Sequence, residues 1–311
     1  MLSIVFATVI GLQIAADVDD IRGPLRSRGY TIFQIASENF IPDDPVSIQP
    51  NHIELSTTIS VSNTFNYTDN YILDSELLRI GISCWYAIDE VFTVGVQIPI
   101  YYISGGFLDQ LIIDFHELIG IINERNAVNN NELYASIYGI RHNIDTEFML
   151  GNIMSTVRIN LPQINGLSVG LKTQLPTSAD TDWARQNVSG VGIDFIYYKN
   201  ISNIYFQIGA GVSYIDEGHI FDYELDNFRI NVLGSIDIKL SDWLSIICTI
   251  YGASGPIKSF GAYSNWELMT NVGFRLKVAP HYVFEFGCIE NMVTLENTLD
   301  FGIHTGFVVR Y

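Results

Sequence analysis

Eight basic residues stand at alternating positions inside otherwise apolar stretches: Arg79, Arg158, Lys172, Arg229, Lys239, Arg275, Lys277 and Arg310. Glu54, Asp194, Asp237, Glu267, Glu285 and His304 occupy the same kind of position. A strand turns successive side chains to opposite faces, so charges spaced this way share a face that the aliphatic residues between them do not. Where that face lines a lumen, cationic groups along it can bind or pass small anionic solutes. The same groups can instead pair with one another across a plugged interior and hold the wall together. The residues leave both readings open.

Other chemistry finds little support. His116 beside Glu117 has the composition of an acid–base pair, but such a loop histidine is ordinarily hydrogen-bonded at a surface. A lipid-modifying barrel enzyme needs a histidine and a serine on neighbouring strands at lipid level. Here His304 faces inward, His281 falls near a turn, and His142 and His219 fall in loops. Cys84, Cys248 and Cys288 are odd in number, far apart and in apolar registers, so they read as small hydrophobes. No Cys/His spacing or glycine-rich phosphate loop stands out. The expectation is a non-enzyme with no catalytic, metal or cofactor-binding residues. A formal net charge of -18 argues against nucleic acid as a partner.

The elements that carry these charges are long alternating strands. In "HIELSTTISVSNTFNY" (52–67), Ile53, Leu55, Thr57, Ile59, Val61, Phe65 and Tyr67 share one face. His52, Glu54, Ser56, Thr58, Ser60, Ser62 and Thr64 share the other. A soluble half-buried strand runs about 5–6 residues, whereas a tilted membrane strand needs about 9–11 and overhangs at both ends. The signature recurs in 77–87, 91–100, 149–161, 167–176, 187–199, 203–214, 226–240, 243–252, 265–279, 281–289 and 300–311, which makes twelve strands in all. Short connections alternate with long ones, 68–70 being the one short exception among the latter. Charged residues are only 16% of the chain, against roughly 25% in soluble proteins. The fold read from this is all-β: a closed antiparallel up-and-down transmembrane β-barrel of about twelve strands over 52–311, placed in the bacterial outer membrane. Aromatic pairs at strand ends (Trp85 with Tyr86, Tyr101 with Tyr102, Tyr197 with Tyr198) and Trp243 read as interfacial girdles.

Three segments lie outside the alternation. The apolar opening "MLSIVFATVIGLQIAAD" reads as a signal peptide over 1–16. Residues 17–51 read as a periplasmic lead-in or partial plug, not a separate domain. Within 105–126, Phe107, Leu108, Leu111, Ile112, Phe115, Leu118, Ile119 and Ile122 recur at helical spacing, with His116 and several carboxylates off the stripe. This amphipathic helix falls in an outer loop, either as a lid over the barrel mouth or lying on the outer leaflet. The lid is preferred because Asp109, Asp114, Glu117 and Glu124 would meet an anionic surface badly. Residues 127–148 read as an extra strand or hairpin above the membrane.

The last strand ends "HTGFVVRY", with Phe301, Ile303, Phe307, Val309 and Tyr311 in one register. Its pattern, carried by His304, Gly306, Val309 and Tyr311, resembles the C-terminal signal by which barrel-assembly machinery captures outer-membrane proteins. Four stretches together resemble a bacterial outer-membrane β-barrel family of uncharacterised function, domain of unknown function 3187. They are "GPLRSRGYTIFQ", "NTFNYTDNYILDSELLRIGI", "GGFLDQLIIDFHELIGIINERN" and "LDFGIHTGFVVRY". The resemblance implies an outer-membrane barrel and carries over no functional residues. The second half of the chain, with "LKTQLPTSAD" after a short turn, is also similar to barrels linked with uptake of aromatic compounds.

The function expected from these features is a narrow channel or transporter for small solutes, gated or lidded by the loop helix. The alternative is a structural or adhesive barrel with a plugged lumen, and a lipid-modifying enzyme comes third. Expected partners are outer-membrane lipid, the assembly machinery and a small solute.

Overall fold

A strand that turns aliphatic side chains toward hydrocarbon must pair both of its edges, because an unpaired N–H or C=O there costs several kcal/mol. The computed structural model describes residues 21–46, 48–119, 131–291 and 297–311. In it a sheet meets this demand by closing on itself. Its strands are β1 (Ile53–Tyr67), β2 (Tyr71–Ala87), β3 (Phe92–Ser104), β4 (Ile153–Asn160), β5 (Leu167–Leu175), β6 (Gly190–Ile201), β7 (Ile204–Ile215), β8 (Phe228–Ser241), β9 (Leu244–Ala253), β10 (Glu267–Ala279), β11 (Tyr282–Glu290) and β12 (Phe301–Arg310). Each pairs antiparallel with its neighbour in sequence, and β12 returns to pair with β1 from Glu54↔Arg310 to Asn63↔Phe301. The protein is therefore a closed, twelve-stranded, up-and-down barrel. The final residue seals the seam: Ile53 N–H donates to Tyr311 O at 2.6 Å, and Tyr311 N–H donates back to Ile53 O at 2.8 Å. The signal peptide expected over 1–16 and residues 120–126 of the expected helix lie outside the described residues.

Burial alternates with the pleat and is inverted relative to a soluble protein. In β1, Leu55 is 44% exposed while its neighbour Glu54 is 0% exposed. The same contrast separates Phe195 from Asp194 and Ile236 from Asp237. Most outward side chains along the strands are apolar, whereas these buried charges face the lumen, with apolar residues such as Ile196, Ile247 and Val308 among them. Five connections at one end are tight, and those at the other are long except for 68–70.

The expected aromatic girdle is corrected by register. Adjacent residues must face opposite sides, so each pair of rings splits. Tyr86 faces outward, whereas Trp85 is buried and faces the lumen; Tyr102 stacks outside on Phe148, whereas Tyr101 is buried within. Trp85 lies directly across from Gly95 of β3 and covers it.

At the long-loop end, Tyr134–Ile137 and Ile140–His142 form a hairpin that pairs with Tyr71–Asp74 of β2. Glu147–Leu150 pairs with the upper part of β3. Both pieces extend the sheet beside β2 and β3 at that end. A Cβ added at Gly95 would lie 2.2 Å from the Trp85 ring. Gly95→Val is expected to destabilise the barrel by about 1–3 kcal/mol through overpacking, read as a lower urea midpoint for loss of the heat-modifiable folded band.

Candidate functional site

The lumen is filled by the chain's own N-terminal segment, which runs inside the barrel as a hairpin. Residue positions along the wall give its course. Arg22 Nη2 donates to Asn203 O at 3.1 Å, at the short-turn end. Further up, Tyr30 N–H donates to Ser62 Oγ at 3.2 Å and Tyr251 Oη donates to Gly29 O at 3.0 Å. Gly29 passes so close to the wall that a Cβ there would lie 2.5 Å from Leu299 and 2.8 Å from Ile289. Phe33 reaches the long-loop end, and a 3-10 turn at Ile35–Phe40 reverses the chain. The descending limb meets Lys172 through Ile41 O at 2.6 Å and returns to the short-turn end, where Asn51 N–H donates to Ala87 O at 2.7 Å. Arg28 clamps the two limbs together by a bidentate bond to Asp43 at 2.5 and 3.0 Å.

Two buried charge clusters bind the hairpin to the wall. On the ascending side, Arg22 pairs with Asp237 at 3.2 Å, while Arg26 bridges Glu54 at 2.6 Å and Glu285 at 3.1 Å. Wall arginines complete the chain of charges: Arg275 joins Asp237 at 2.7 Å to Glu285 at 2.8 Å, and Arg310 holds Glu54 at 2.5 Å. Arg275 also donates to the hairpin carbonyls of Ile21, Gly23 and Pro24. On the descending side the signs reverse, because the hairpin supplies the anion. Asp44 accepts from Arg158, from Gln97 at 3.1 Å, and lies 3.1 Å from Lys172 Nζ. Both wall cations also face Asp194, at 3.0 and 3.2 Å. A third contact ties Gln34 to Glu267, which pairs with Arg229 at 2.7 Å.

The long-loop end is closed differently, by rings. Phe33 packs on Tyr263 and Phe260 with centroids 4.3 and 5.4 Å apart, and Tyr71 and Tyr223 pack on Phe260. The Tyr263 hydroxyl donates to Asn66. Burial lifts the Tyr263 phenol well above its ordinary value, with Tyr71 and Glu267 adding to the effect. The group is held as a neutral donor.

Most of the residues singled out from sequence come together around the hairpin. Arg79, Arg158, Lys172, Asp194, Arg229, Asp237, Glu267, Arg275, Glu285 and His304 are all buried on the lumen side. Arg79 donates to Thr58 at 3.4 Å, and His304 Nδ1 lies 3.2 Å from Ser60 Oγ. Lys239 sits at the short-turn rim beside Asp242, at 3.1 Å. His304 and Gly306 of the C-terminal motif face inward, whereas Val309 and Tyr311 face outward.

The helix α1 (Asp109–Ile119) begins elsewhere than over the bore. Its first turn docks on the outward face of the wall, at the cross-strand pair Asn63↔Glu76. The Glu76 carboxylate accepts from the Phe107 and Leu108 N–H groups at 3.1 and 3.0 Å, and Asn63 donates to Asp109 at 2.8 Å. Leu108 and Ile112 are buried, while Phe107 and Leu111 are 69% and 52% exposed. The side chains of Phe115, His116 and Leu118 lie outside those described. The apolar stripe shows which side of a helix seeks cover but not which surface supplies it, so a lid and a wall-mounted helix look alike in sequence.

Sequence reasoning missed the hairpin's own charges, Arg22, Arg26, Arg28, Asp43 and Asp44. The spacing "RGPLRSR" was a usable signal, since three arginines beside a barrel with inward-facing acids have obvious partners. Glu76 was missed because β2 begins at Tyr71, ahead of the alternation read from 77.

This architecture, apolar outside and charged within, defines the class: a β-barrel of outer-membrane type. The chain belongs to the family described as "Protein of unknown function (DUF3187)", whose model matches residues 1–311. Among solved structures it is similar to an outer membrane channel from Pseudomonas putida F1, with 9% identity over 85% of this chain and 97% of that one, at a TM-score of 0.59. It is also similar to the translocator domain of the autotransporter NalP from Neisseria meningitidis, with 10% identity over 84% of this chain and 88% of that one, at a TM-score of 0.46. At such identities the likeness is one of fold. No curated protein matches the chain in sequence.

Two substitutions separate the hairpin from the helix. Arg26→Ala leaves Glu54 and Glu285 each short of a buried partner, expected to cost about 3–5 kcal/mol and to speed hydrogen exchange across 21–46. Glu76→Ala removes the acceptor for the start of α1, expected to cost about 0.5–2 kcal/mol by analogy with lost helix caps. That loss should appear as faster exchange at Phe107 and Leu108 with the hairpin unchanged.

Proposed function

We propose that the protein is a small-solute conduit of the bacterial outer membrane, held shut by the hairpin 21–50 rather than by the loop helix. The observation that carries this is the polar share of the wall behind the hairpin, set beside an apolar cluster that includes Leu77, Met154 and Met269. Ser56, Thr58, Ser60, Gln97, Thr156, Gln207, Thr249 and Asn271 line that wall, all buried beneath the hairpin or each other. Thr156 Oγ1, Ser213 Oγ, Asn231 Nδ2 and Asn271 Oδ1 have no protein partner. A permanent core gains by being apolar, since well-packed hydrophobic residues match or exceed a buried ion pair in stability. A wall that must sometimes meet water gains by being hydrophilic.

Topology supports the same reading. Both limbs of the hairpin enter from the short-turn end, so it can withdraw in that direction without threading a terminus through the barrel. In the orientation usual for bacterial barrels that end faces the periplasm. The similar barrel from Pseudomonas putida F1, a channel by its description, lends support at the level of fold. Outward-facing Val309 and Tyr311 suit recognition by the assembly machinery. A barrel plugged permanently as a scaffold is the reading that the dense ion pairing would favour.

Planar-bilayer recording separates the two. The intact protein is expected to stay closed for most of the time, and deletion of residues 21–50 to give a steady open conductance. A deletion variant that folds and inserts yet conducts nothing would overturn the conduit and leave the scaffold.

A further inference from the structure

The most deeply seated anion among the hairpin's described residues points to what the conduit takes. Asp44 is held by donors from three consecutive strands, Gln97 of β3, Arg158 of β4 and Lys172 of β5, and its side chain is fully buried. The wall around it is not neutral by itself. Arg158 and Lys172 share one wall carboxylate, Asp194. Asp44 therefore supplies the second negative charge, and it belongs to the part of the chain that must leave for the lumen to open. Once it leaves, two cations face one anion, with a neutral amide donor beside them. A net positive seat in the low-dielectric wall of a narrow lumen attracts anions, so the vacated position favours another anion of matching shape. One arginine N–H and a lysine at one oxygen, with an amide at the other, suit a carboxylate.

We propose that this position is the lumen's binding site for the carboxylate group of the transported solute, with Asp44 its tethered stand-in, an assignment that rests on the conduit reading. The ascending limb has no equivalent, because its charges are arginines set against wall acids. The solute exchanges with Asp44 rather than binding beside it. The cavity bordered by Asp44, Gln97 and Arg79 measures ≈ 40 Å³, room for about three waters, so a larger solute must displace Asp44 to reach the seat.

The test uses acetate as the probe, against chloride at equal ionic strength. In the full-length chain, Asp44→Ala opens the seat while the rest of the hairpin stays tethered. It is expected to melt lower than the parent. Acetate at 100 mM should then raise its melting temperature by about 3 °C beyond chloride, for a site binding acetate in the ~10 mM range. The gain should vanish when Lys172→Gln is added. Equal effects of the two salts, or a gain that survives Lys172→Gln, would overturn the proposal. Should Asp44→Ala fail to fold, the variant lacking 21–50 serves instead: carbon-13 acetate should broaden in its presence, and not with Lys172→Gln. Acetate binding without current would sink the conduit and leave the seat standing as a carboxylate site. Current without acetate binding would sink the seat alone.

Discussion

Every other feature follows from the need to satisfy backbone hydrogen bonds where no water is available. A closed sheet does this with no edge left over, and the seam between Ile53 and Tyr311 is where closure is completed. Once the outside must be apolar, the pleat sends polar residues inward. The inverted pairs Leu55 and Glu54, or Phe195 and Asp194, are consequences of that one constraint. So is the concentration of buried charge in a space the barrel cannot fill from its own walls.

Filling that space shapes the rest. Twelve strands enclose more room than inward side chains can occupy in the smallest barrels, and the N-terminal hairpin takes it up. The match is electrostatic on both limbs but opposite in sign. Arginines on the ascending limb meet Glu54, Asp237 and Glu285, and the aspartate on the descending limb meets Arg158 and Lys172. Closure is polar toward the short-turn end and aromatic toward the long-loop end, where Phe33 meets Tyr263 and Phe260. The two ends therefore rest on different interactions, buried ion pairs at one and ring packing at the other.

The wall was legible in the sequence because its signal is local. Alternation in 52–67 places Glu54 inside and Leu55 outside with no knowledge of any other strand, and the same rule places Arg158 and Arg275. The hairpin was not legible in detail, because its partners are distant: Arg275 and Gly23 are 252 positions apart. Nor does residue type reveal side. Trp85 and Tyr101 look like membrane-interface rings until their register is respected, and Glu76 looks solvent-exposed until α1 is seen to dock on it. The helix itself was legible as a helix, while the surface it meets was decided by a single cross-strand pair, Asn63 and Glu76.

Closure of the lumen and the carboxylate seat both depend on the hairpin's residence inside the assembled barrel. A Cβ built at Gly29 lies 3.0 Å from Ser62 Oγ, and the two atoms nearer to it are the methyl ends of Leu299 and Ile289, which can turn aside, so cysteines at 29 and 62 can be bridged. The direct measurement is oxidative cross-linking of Gly29→Cys with Ser62→Cys in whole cells, with Cys84, Cys248 and Cys288 replaced by serine. Near-complete cross-linking of the folded, membrane-inserted protein is the expected result. A folded barrel whose two cysteines stay unlinked and both react with a periplasmic thiol reagent would place the hairpin outside the barrel and contradict its residence inside.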